Sequence, residues 1–225
     1  MRGARAALAW MALMALATPA SAQRADNEPR GRAGEFDLYV LALSWSPTYC
    51  LTDGQRRDSN QCAPDARRDF VVHGLWPQYE RGWPQFCGGR NAERVPDGTI
   101  ARMLDLMPDR GLVIHQWRKH GTCSGLGPQA YFDTVRRAAA SIRVPDELRR
   151  PAARFDTTPA EVEAAFTRAN PGLTADMMTV TCQAGMLDEV RVCLSRTLQP
   201  RRCAEVDARS CRGRMSVPPT RGAGG

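Results

Sequence analysis

The sequence predicts an α+β fold, held as a single disulfide-stapled domain. Three observations carry this expectation. Strand-like segments occur near both ends of the chain, apart from a run of helix-like segments. Eight cysteines, an even number, follow an export signal. Without that signal, 203 of the 225 residues remain, enough for one domain with a real core.

The elements follow in order. Residues 1–22 read as a secretory signal. Arg2 and Arg5 start it, an apolar stretch runs from Ala7 to Ala17, and Ala20-Ser21-Ala22 fits the small-residue cleavage rule. The apolar run is shorter than the roughly 20 residues of a membrane span, and no second run follows. The mature chain is therefore expected to be exported, to the periplasm or outside the cell, and to be soluble. Residues 23–35 are polar and contain Gly and Pro, so a flexible segment is expected there. Phe36 to Ser46 reads as a buried strand ended by Pro47. Thr52 to Asp69 is charged and loop-like, stapled by cysteines. Phe70 to His73 reads as a short strand, closed by Gly74 and Pro77. Gly82 to Gly98 is a long surface connection.

Helices come next. Asp97 caps one expected to run through Met107, and Leu112 to His120 forms another, stopped by Gly121. Pro128 to Ile142 reads as a third, amphipathic one. Thr158-Pro159-Ala160-Glu161 is a capping box with Pro at the first helical position, and its helix ends at Asn170-Pro171-Gly172. Thr179 to Cys182 and Leu187 to Ser195 are two strands joined by a turn at Ala184-Gly185. Residues 212–225 are Gly- and Pro-rich and expected to fray. The folded domain is thus placed at 36–211.

Lys and Arg outnumber Asp and Glu by 31 to 24. Removing Arg2 and Arg5 with the signal lowers the formal charge from +7 to +5. A basic surface favours polyanions, although a general preference for Arg over Lys and for Ala would leave the same mark. The cysteines stand at 50, 62, 87, 123, 182, 193, 203 and 211, and spacing alone permits about 105 pairings. No Cys-x-x-Cys pair argues for zinc.

All three histidines, and the single lysine, fall in two short motifs. One is Val71-Val72-His73-Gly74-Leu75-Trp76-Pro77. The other is His115-Gln116-Trp117-Arg118-Lys119-His120-Gly121-Thr122-Cys123. A chain that otherwise writes its basic positions as Arg, yet keeps one Lys between histidines, points to a need for a compact ammonium there. Histidine gives and takes protons near neutral pH. On a helix turning about 100° per residue, with His115 at zero, Lys119 falls at about 40°, Gln116 at about 100° and His120 at about 140°. One arc therefore presents all four. His115 and His120 are spaced i, i+5, unlike the i, i+4 of helical metal ligands, so no metal and no cofactor is expected.

These motifs resemble the two active-site segments of the T2-type ribonuclease family, which are secreted endoribonucleases. The first segment agrees in full. The second differs at Gln116 and Arg118, where the family usually has Glu. The resemblance implies an antiparallel sheet with helices packed against it. It also implies disulfides Cys87–Cys123 and Cys182–Cys211 around Cys193–Cys203, which leaves Cys50 with Cys62. It implies His73 and His120 as the acid–base pair, with His120 as base and His73 as acid. His115, Lys119 and Gln116 would complete the catalytic group around the phosphate. Trp76 would stack a base, though a tryptophan is equally ordinary core material. Gln78 stands where many members carry a carboxylate that reads a purine, which leaves base preference open.

The function expected is metal-independent cleavage of single-stranded RNA by transphosphorylation. It would pass through a 2′,3′-cyclic phosphate to 3′-phosphate ends with low base specificity, and a monomer would carry it out away from membranes. RNA supplies the 2′-hydroxyl nucleophile, and a base, an acid and cations serve the rest. The rival reading is an RNA- or polyanion-binding protein with weakened catalysis, for which Gln116 is the best support. A metal-dependent nuclease is a third, separated by chelator.

Overall fold

The computed structural model describes residues 28–54, 60–63, 66–89 and 92–220. The signal at 1–22 lies outside them, as do residues 23–27 and 221–225.

Strand β1 (Leu38–Trp45) is the axis of the fold. Antiparallel β2 (Phe70–Gln78) lies on one side and antiparallel β5 (Met186–Leu194) on the other. The sheet runs β2-β1-β5-β6-β3, with β3 at Phe155–Thr157 and β6 at Met215–Val217, while β4 (Met178–Gln183) also pairs with β5. One pairing is parallel, Met186 with Ser216. The helices are α1 (Ser46–Thr52), α2 (Asp97–Met103), α3 (Arg110–Lys119), α4 (Pro128–Ala140), α5 (Pro159–Ala169) and α6 (Ala204–Asp207).

Strand alternation divides the molecule. Tyr39, Leu41, Leu43 and Trp45 point into the main core with Trp117, Tyr131, Phe132 and Phe166 from the helices. Leu38 and Val40 point the other way, into a small cluster with Cys193, Cys203 and Val206, against which Trp76 packs. The functional residues collect on this second face.

Several expectations change. Pro47 does not merely end β1; it occupies the first turn of α1, where a missing N–H costs nothing. Strand β2 does not close at Gly74 but continues to Gln78, and it tolerates Pro77 because it is the edge strand. Asp97 is not a cap: Pro96 holds that position without a side-chain bond, and the helix stops at Met103, short of Met107. Helix α3 starts at Arg110, because Asp109 caps it through the Leu112 N–H, and His120 is its C-cap rather than its last turn. Residues 215–217 of the expected frayed tail form β6 against β3, with Val217 fully buried. Residues 28–35 are tied down by Arg30 paired with Gln85 and by the Gly34 N–H on the Cys123 carbonyl.

The capping box at Thr158 and Glu161 forms in both directions. Ala184 and Gly185, both at positive φ, make the β4–β5 turn. Four disulfides close: Cys50–Cys62, Cys87–Cys123, Cys182–Cys211 and Cys193–Cys203.

Candidate active site

A β-bulge delivers the first histidine. Leu43 pairs with Val72, but Ala42 pairs with Gly74, so His73 is the extra residue of β2. Before the bulge, Phe70 and Val72 face the main core; after it, Leu75 does. The slip lets His73 and Trp76, three apart, reach the same face, which strict alternation forbids.

The second group comes from the end of α3. Val113 and Trp117 bury one side of that helix, and the Trp117 indole donates to the Glu93 carbonyl at 2.6 Å. The adjoining side presents His115, Gln116, Lys119 and, at the cap, His120. Disulfide Cys87–Cys123 and the Phe86 N–H on the Lys119 carbonyl fasten this end to the loop after β2. Gly121 cannot be replaced quietly, because a Cβ there would lie 2.4 Å from the Trp117 ring.

These residues converge. His73, Trp76, Gln78, His115, Gln116, Lys119 and His120 all line one cavity of about 230 Å³. Trp76 is its central wall. His120 stacks on it at 5.2 Å between ring centroids, His73 meets it edge-on at 5.3 Å, and the Arg191 guanidinium lies 5.1 Å from its centre. The Trp76 indole donates to the Gln116 amide oxygen at 2.8 Å. Gln116 is buried, so this oxygen is committed to the tryptophan. The contact needs Gly74: a Cβ would sit 2.1 Å from that oxygen and 2.4 Å from the indole nitrogen.

The two imidazoles sit in opposite environments. His120 is 8% exposed, and its Nδ1 has no hydrogen-bond partner among the described residues. An imidazolium would bury an unmatched N–H there. Burial, then Lys119, His73 and His115, hold its pKa well below the ordinary value. His73 instead points Nδ1 at the Glu189 carboxylate, 2.5 Å away. Glu189 is buried, and burial alone would raise its pKa; His73 and Arg191 outweigh that and hold it at about 2.

Glu189 and Arg191 were not anticipated from the sequence. Their signal was present: acid and base two apart in a β-branched strand share one face. A second cavity, about 750 Å³, shares His73, His115 and Arg191 with the first. Among the described residues no group of three or more His, Cys, Asp or Glu is placed to hold a metal ion, and no helix is long and apolar enough to cross a membrane.

Three imidazoles and an ammonium in one cavity of an α+β domain are suited to proton transfer beside a bound anion. Residues 36–203 match the model of the Ribonuclease T2 family, and the chain belongs to that family. A ribonuclease of Aeromonas hydrophila is 48% identical over 99 residues, covering 44% of this chain and 43% of that protein. A probable ribonuclease of Haemophilus influenzae is 32% identical over 136 residues, 55% of this chain and 50% of its own. The chain thus spans half or less of these two relatives. Ribonuclease I of Escherichia coli is 28% identical over 201 residues, covering 71% of this chain and 75% of the relative. Among solved structures, an RNase-related protein from Calystegia sepium shares the fold, with a TM-score of 0.64 at 23% identity, covering 83% of this chain and 98% of that one.

Proposed function

We propose that this chain is an exported endoribonuclease that cuts single-stranded RNA through a 2′,3′-cyclic phosphate to 3′-phosphate ends, with little base specificity. The observation that carries the reading is the unlike pair of imidazoles, His120 and His73, in one cavity with Lys119. His120, disfavoured as a cation, accepts the 2′-hydroxyl proton. The 2′-oxygen attacks phosphorus, and His73 protonates the departing 5′-oxygen. Water then opens the cyclic phosphate with the roles exchanged. Lys119 and His115 offset the charge on the phosphorane, and the Gln116 amide nitrogen remains able to donate to a phosphate oxygen.

The nucleotide on one side would use the cavity wall of Gln78, Trp83, Val40 and Arg209. Its neighbour would use the second cavity, so that His73, His115 and Arg191 flank the scissile phosphate. Trp76 has its ring occupied by His120 and Arg191, which favours a role as the wall that holds the histidines over one as a free stacking surface. Four disulfides suit an oxidising compartment.

The test is digestion of single-stranded RNA and of DNA in excess chelator, followed by identification of the new termini. Cyclic and 3′-phosphate ends with intact DNA support the reading. Cleavage of DNA at a similar rate, or RNA that is bound but never cut, overturns it; the second outcome supports the binding-protein alternative.

A further inference from the structure

We propose that Glu189 is a positioning residue for this chemistry: its carboxylate fixes His73 with the proton on Nδ1 and so leaves Nε2 to meet the phosphate. The inference rests on the ribonuclease reading above and assigns a role to a residue outside both histidine motifs.

Geometry carries it. Glu189 Oε1 lies 2.5 Å from His73 Nδ1, and Oε2 accepts from the Arg191 Nε at 2.7 Å. The carboxylate is therefore clamped from both sides, with only 5% of its side chain exposed. An ionised carboxylate only accepts hydrogen bonds, so Nδ1 must donate. The contact crosses a whole strand: His73 is on β2, Glu189 on β5, and β1 lies between. Two strand spacings are about 10 Å. The gap closes because the intervening positions are small. Ala42 is opposite Gly74 and Arg191, and Ser44 is opposite Glu189. Among the described residues His120 Nδ1 has no hydrogen-bond partner, so the sheet makes the two imidazoles unequal before any substrate arrives.

Other charged groups also face His73. Asp188 and Arg191 accompany Glu189 from β5, His115, Lys119 and His120 come from the end of α3, and Asp53, Asp109 and Tyr49 line the shared second cavity. Of these, Glu189 meets the ring directly, at Nδ1.

The experiment uses the fact that the mature chain has three histidines. In protein labelled with ¹⁵N-histidine, the neutral His73 ring should show the Nδ1–H tautomer. Glu189→Gln removes the charge, so the alkaline limb of the kcat/KM profile should move to lower pH. Its kcat should fall about ten- to a hundredfold, the scale found for outer partners that orient metal-bound histidines, with KM little changed. Glu189→Asp keeps the charge and should restore the limb. An Nε2–H tautomer in wild type, or an unchanged alkaline limb in folded Glu189→Gln, overturns the proposal. If Glu189→Gln does not fold, the wild-type tautomer and the Glu189→Asp profile decide. The NMR readings need no cleavage, so inactive wild-type protein would sink the ribonuclease reading alone.

Discussion

The indole of Trp76 and the buried amide of Gln116 bind strand β2 to helix α3 through one partly buried hydrogen bond of 2.8 Å. The tryptophan so held is the surface on which His120 stacks. Gln116→Ala should therefore loosen His120 and cost about 1–3 kcal/mol of transition-state stabilisation, less than loss of either paired histidine. Gln116→Glu keeps the acceptor oxygen and adds a charge beside His120. That charge favours the imidazolium, so the acid limb of the kcat/KM profile should move to higher pH. An unmoved limb would mean that Gln116 does not act near His120.

His73→Ala and His120→Ala should each lower kcat about 10²–10⁴-fold while circular dichroism stays that of wild type. Near-normal turnover in either variant would remove that residue from the acid–base pair.

Gly74→Ala tests how tightly the site is closed. The added methyl group enters the space of the Gln116 oxygen and the Trp76 nitrogen. The conformation is not at issue, since Gly74 is not at positive φ. Overpacking of this kind costs about 1–3 kcal/mol. Activity should fall along with the melting temperature, whereas Gly82→Ala, whose Cβ meets nothing but whose φ is positive, should affect only stability.

Folding stability should fall on acidification in two windows. The folded pKa of His120 is depressed, so the unfolded chain binds its proton first, and stability is lost as pH falls below about 6.5. Glu189 is also depressed, to about 2, so its contribution is complete above about 4.5 and disappears as pH falls toward 2. The second window is worth on the order of 3 kcal/mol. Urea unfolding at pH 7, 5 and 3 should show both losses. His120→Ala should flatten the first, and Glu189→Gln should make the second shallower, the lowered carboxyls of Asp97, Asp105 and Glu161 keeping part of it.

The two halves of the site differ in how far the sequence reveals them. Helix α3 was legible because its periodicity and its Gly121 stop are local, and the arc of His115, Gln116, Lys119 and His120 follows from helical geometry; the Asp109 cap, which starts the helix two residues before Leu112, was not read. Strand β2 was only half legible. Gly74 and Pro77 are strand breakers in isolation, and the edge position and bulge that accommodate them depend on β1. Glu189 and Arg191 stayed hidden for a related reason. Their purpose depends on His73 two strands away, and local pattern carries no record of that. Strand β6 was missed because three residues among glycines and prolines gain order only from β3 and β5. Cysteine spacing left the pairing open, and the family resemblance narrowed it.

Because Lys119 is the only lysine, a lysine-directed protease has one cleavage point in the chain, at the end of α3. The fragments divide the catalytic inventory: His73, His115 and Lys119 stay on the first, while His120, Glu189 and Arg191 go with the second. Cys50–Cys62 lies wholly in the first fragment, and Cys182–Cys211 and Cys193–Cys203 lie wholly in the second. Cys87–Cys123 alone crosses the cut. In covalent terms the molecule is two peptides sharing one centre, and a single sulfur–sulfur bond would decide whether a nicked chain can still assemble it.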